Sequence, residues 1–94
     1  MTKSITFETI RDELNLRQNT NRAAVLEYLV KHNGEKIRID RLAKALTGDG
    51  EAVNATTFAV EMLIKRMHAL KLSRKYCLEW LDEDFNWFVL FSAK

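Results

Sequence analysis

Late in the chain the hydrophobic residues change period, and that change limits what the chain can fold into. As far as Leu72 they recur every three or four residues, as along one face of a helix; from Leu78 onward they alternate. Tyr76, Leu78 and Trp80 then share one face of a strand, and Trp87, Val89 and Phe91 share one face of the next. Asp82-Glu83-Asp84-Phe85 joins the two as an acidic turn. The predicted class is α+β, mostly helical, closed by a β-hairpin.

Upstream, capping residues and breakers divide the chain into four helices. Thr6 caps a short helix over residues 7–16, whose Phe7, Ile10 and Leu14 form a narrow apolar stripe that must dock on something. A polar connector follows over residues 15–21. The second helix starts near Thr20, buries Val25, Leu26, Leu29 and Val30, and ends at Gly34 as its C′ residue. Glu35-Lys36-Ile37-Arg38-Ile39 alternates and reads as a short strand. Asp40 caps a third helix with Leu42, Ala43, Ala45 and Leu46 inside, stopped by Thr47-Gly48-Asp49-Gly50. Asn54 caps the longest helix, about residues 55–72.

Several functions are set aside by what the chain lacks. It has 94 residues, enough for one domain, and its 47% hydrophobic and 30% charged side chains argue against disorder. No phosphate-cradling glycine motif occurs, and His32 and His68 have no partner at metal-ligand spacing. The lone Cys77 permits neither an internal disulfide nor a cysteine-rich zinc site. No apolar run reaches the roughly 18 residues of a membrane span, and the start lacks a signal-peptide core. The expectation is a cytoplasmic protein that is not an enzyme and carries no metal or cofactor.

The order helix, short strand, helix, helix, hairpin resembles the winged helix-turn-helix, a three-helix core followed by a β-hairpin wing. Val25 to Leu29, Gly34 to Leu42, Val60 to Met67 and the closing hairpin carry the resemblance. The stretch from Gly34 to Gly48 is similar to the DNA-binding effector domain of bacterial response regulators. The resemblance covers residues 20–91, so 20–94 is the expected winged-helix domain. Residues 1–19 are an extra N-terminal helix and connector, expected to act as a dimerisation arm through Phe7, Ile10 and Leu14.

In that fold the helix at 54–72 is the one that enters the major groove. Its wheel puts Thr56, Ala59, Val60, Leu63, Ile64, Met67 and Leu70 inside and a second apolar strip of Phe58, Met62 and Ala69 nearly opposite. The polar sector between them holds Asn54, Thr57, Glu61, Lys65, His68 and Lys71, which either read base edges or form an ordinary solvated face. Residues 1–64 balance nine bases against nine acids, whereas 65–75 carry five bases and no acid. Lys65, Arg66, Lys71, Arg74 and Lys75 lie where phosphates would, although cations at a helix C-terminus also offset its dipole. Arg22, Arg38 and Arg41 would extend the backbone contacts. Asp82, Glu83 and Asp84 would repel phosphate, so the turn either keeps an aromatic hairpin soluble or meets a basic protein surface. The apolar strip packs under the hairpin or against a second copy.

The sequence therefore predicts a free-standing homodimeric regulator, prokaryotic or phage, that binds double-stranded DNA. The alternative is a winged-helix protein-interaction module working through its acidic aromatic hairpin.

Overall fold

The computed structural model describes residues 6–48 and 53–93. Helix α1 is Phe7–Glu13, α2 Asn21–Lys31, α3 Ile39–Thr47 and α4 Val53–Ala69; strand β1 is Lys36–Arg38, β2 Tyr76–Glu83 and β3 Asn86–Ala93. The strands form one antiparallel sheet in the order β1-β3-β2, so the short strand between α2 and α3 pairs with the last strand of the chain. Ile37 faces Val89 across one pairing, and Trp80 faces Val89 across the other.

The predicted Thr6 cap forms, and Thr20, near which the second helix is expected to start, caps it. Thr6 Oγ1 accepts from the Thr9 amide at 3.3 Å, and Thr20 Oγ1 accepts from the Ala23 amide at 3.2 Å. Helix ends depart from the prediction, each for a visible reason. α1 stops at Glu13 rather than 16 because Asn15 turns left-handed (φ 56°), with the Leu16 amide donating to the Arg11 carbonyl and that of Asn15 to Asp12. The same pattern ends α4 at Ala69 rather than 72. Lys71 has φ 58°, its amide donates to the His68 carbonyl, and Leu72 donates to Met67 while packing on the core.

α2 ends at Lys31, ahead of Gly34, which is not its C′ residue. Gly34 (φ 85°) turns the chain instead, and its amide donates to the Phe91 carbonyl at 2.8 Å, tying the turn to β3. Asp40 lies in the first turn of α3 and is not its cap. Arg38 occupies that position without a side-chain capping bond, and Asp40 instead accepts both Nε and Nη2 of Arg38 at 2.6 Å. Asn54 is the second residue of α4, so it is not the cap either; of the loop expected from Gly48 to Val53, Gly48 is the left-handed C-cap of α3, Val53 opens α4, and residues 49–52 lie outside the described residues. Asp82 and Glu83 are paired strand residues opposite Trp87 and Asn86, which shortens the predicted four-residue turn to Asp84-Phe85. Both have positive φ (52° and 65°), as a two-residue type I′ turn requires.

A single core joins every helix to the sheet: Ile10 and Leu14, Val25, Leu26 and Leu29, Leu42, Ala59, Val60, Leu63 and Met67, then Tyr76, Leu78, Val89 and Phe91. The stripe assigned to dimerisation therefore has another home. Ile10 and Leu14 are completely inaccessible within the chain's own core, and Phe7 packs beside them. α1 is an integral layer of the domain, joined to α4 by the Arg66 Nε donating to the Leu14 carbonyl at 3.0 Å.

Candidate nucleic-acid interface

α4 buries Thr56, Ala59, Val60, Leu63 and Met67 of the stripe its wheel predicts; Ile64 is half-buried, and Leu70, beyond the end of the helix, is exposed. Outside that stripe Val53, Thr57 and Met62 are half-buried and the remaining positions are exposed. Asn54, Glu61, Lys65 and His68 are exposed there, as expected of a polar sector. Thr57 is half-buried, because the hairpin leans on this flank. Trp80 and Trp87 meet edge to face with ring centroids 6.1 Å apart, and with Ile39, Val53, Thr57 and Glu61 they line a notch of about 310 Å³.

Lys71 does not belong to the sector, since the helix has ended before it; it projects from the left-handed residue that reverses the chain. Lys71 and Arg74 are nonetheless exposed just beyond Lys65 and His68 in sequence. Within residues 65–75, the ion pair found among the described residues is Lys75 with Glu13, at 3.2 Å. That pairing turns Lys75 towards the protein and leaves Lys65, Lys71 and Arg74 as the outward cations.

Arg38 and Arg41 are not gathered with this cluster. They line a separate groove of about 640 Å³ with Tyr28, His32, Glu35, Lys36, Ile37 and Phe88. Arg38 is committed to Asp40, whose carboxyl is pulled down to about 2 chiefly by those hydrogen bonds. In the same groove the imidazole of His32 stacks on Tyr28 and its Nδ1 lies 2.6 Å from Glu35. Lys36 pairs with Glu83 and lies over the Phe88 ring, so one of the three hairpin acids is already matched.

The apolar strip on α4 is not under the hairpin. Phe58 is 59% exposed and Ala69 is exposed, while Met62 is half-buried. Phe58 instead borders a groove of about 510 Å³ shared with Asn15, Leu16, Arg17, Thr20, Asn21, Arg22 and Arg66. Sequence reasoning passed over this groove because Arg17 and Arg66 are far apart in the chain. The available signal was Asn15 and Asn19, residues that tolerate left-handed φ (56° and 60° here) and fold the connector back towards α4.

Cys77 is a half-buried free thiol. Among the described residues no three of His, Cys, Asp and Glu are grouped to hold a metal ion, and no helix is long and apolar enough to cross a membrane. No protein-family model, curated protein or solved structure matches the chain.

Proposed function

We propose that the chain is a winged-helix domain that binds duplex DNA, with α4 in the major groove, and that it serves as a small transcription regulator. The connectivity supports the fold reading: α2, β1, α3, α4 and a hairpin, with β1 added beside the last strand, is the winged-helix order. One observation carries the functional reading. The outward side of α4 bears hydrogen-bonding side chains at Asn54, Glu61, Lys65 and His68, and runs directly into Lys71 and Arg74, cations with no ion pair among the described residues. Base edges need the first kind of group and phosphates the second, in that adjacency. Thr57 is a poorer base contact than its neighbours because the tryptophans cover it. Lys75, Arg38 and Arg41 are weaker phosphate contacts, the first two for want of a free charge and the last for its position.

The reading is tested by exposing the purified chain to a random pool of duplex DNA and sequencing what it retains. An enriched motif supports a sequence-specific regulator, and an inverted repeat would add that two copies bind together. Failure to retain duplex at low salt overturns it.

A second reading, a protein-interaction module, is favoured by the hairpin. Phe85 is fully exposed and Trp87 half-exposed beside Asp82 and Asp84, a surface that phosphate repels and a basic protein attracts. In the same assay this reading predicts no duplex retention.

A further inference from the structure

The groove between the α1–α2 connector and α4 and the tip of the hairpin are complementary, and DNA binding explains neither. Arg17, Arg22 and Arg66 line the groove, no acid does so among the described residues, and Phe58 supplies an exposed aromatic wall. Its volume of about 510 Å³ admits a large aromatic side chain. The hairpin tip has the opposite character. Phe85 projects completely into solvent directly after Asp82, Glu83 and Asp84, on a turn only two residues wide. It also occupies a left-handed position (φ 65°) that a type I′ turn prefers to fill with glycine. Neither burial nor turn chemistry accounts for a phenylalanine there, which leaves contact with something else.

We infer that the groove receives the hairpin tip of a second copy of this chain, with Phe85 seated against Phe58 and Asp82 and Asp84 facing Arg17 and Arg22. The occupant is identified by chemistry on the molecule's own surface: an aromatic anchor preceded by acids fits an aromatic-walled cleft flanked by arginines. The contact joins two different patches, so it is heterologous. It either closes reciprocally between two chains or extends from chain to chain. It differs from an association through α1, whose stripe is already in the core, and it does not depend on α4 binding DNA.

Sedimentation velocity on the protein alone, over a wide concentration range at low and high salt, reads the contact. The wild type associates at low salt and dissociates as salt rises. Phe85→Gly and Arg22→Glu each weaken association by about tenfold or more. Both variants keep their fold, which melting checks: glycine suits the left-handed position, and an acid in the first turn of α2 suits the helix dipole. Mixing them is decisive, because Phe85→Gly keeps its groove and Arg22→Glu keeps its tip. The mixture forms a two-chain species and nothing larger. A wild type that stays monomeric at every concentration overturns the inference, as does a Phe85→Gly variant that associates like wild type or a mixture that fails to pair.

Discussion

Tyr76 and Glu13 meet where α1 touches the start of the hairpin, a part-buried hydrogen bond between distant parts of the chain. The phenol donates to Glu13 Oε1 at 2.5 Å, and Lys75 Nζ approaches Oε2 at 3.2 Å. Burial pushes the Tyr76 hydroxyl up to about 12, with the Glu13 carboxylate adding to it. The Tyr76 hydrogen bond is also the main cause of a Glu13 carboxyl below its usual range. Tyr76→Phe should lower stability at neutral pH by about 1.5–3 kcal/mol, the worth of a hydrogen bond to a charged group. The sign differs at the two ends of the pH scale. A raised Tyr76 means the folded chain holds its proton longer, so stability falls as pH rises from about 10 towards 12. A lowered Glu13 gives stability that is present above the ordinary carboxyl value and is lost as pH falls through the folded one. Urea unfolding across pH should show both limbs in the wild type, no alkaline limb from this residue in the variant, and a shallower acid limb. None of this was legible in the chain, where residues 13 and 76 are distant and nothing marks either as a partner. The commitment of Arg38 to Asp40 was missed for a different reason: both were read singly, one as a phosphate contact and one as a cap.

Helices are where the sequence could be read best and their ends where it could not. Thr6 and Thr20 mark two starts because a cap is a local device, and the buried stripe of α4 follows from spacing alone. The ends of α1 and α4 depend on Asn15 and Lys71 turning left-handed, which happens because Leu16 and Leu72 are pulled onto the core. A lysine in that position carries no local signal. The two loose apolar surfaces exchanged fates for the same reason. The α1 stripe needed a partner, but only the three-dimensional fold brings Arg66 to the Leu14 carbonyl and closes the core over it. The α4 strip, expected under the hairpin or against a second copy, is not covered by the hairpin, whose Trp80 and Trp87 settle beside Thr57 and Glu61 instead. Leu14→Ala should therefore destabilise the chain by about 2–5 kcal/mol, as for other fully buried leucines. Chemical denaturation at two protein concentrations checks the placement. The loss should not depend on concentration, whereas a swapped α1 would shift the midpoint with it.

Across the whole molecule the charges are sorted, although they nearly cancel: the net charge is +2. Cations gather from Lys65 to Arg74, acids from Asp82 to Asp84, and a further arginine groove lies beside α1. The first two groupings could be read from the chain, because each is contiguous. The third could not, because it is assembled from the connector, α2 and α4. In the DNA reading, Lys65 and Lys71 differ in kind. Lys65→Ala should cost about 1–3 kcal/mol and relax preference at one base position, as loss of a base contact does. Lys71→Ala should weaken all duplexes alike and reduce the salt slope by about one unit. Competition binding with selected and scrambled duplexes separates the two effects.

If the outward side of α4 and the cations after it hold duplex DNA, binding must weaken with salt in proportion to the phosphates they neutralise. With Lys71 and Arg74 as the principal phosphate contacts, log affinity should fall against log salt with a slope of about −2 for the wild type. In the double variant Lys71→Ala, Arg74→Ala the slope should fall close to zero. Binding that is absent at low salt, or a slope the double variant leaves unchanged, would contradict DNA binding by this face.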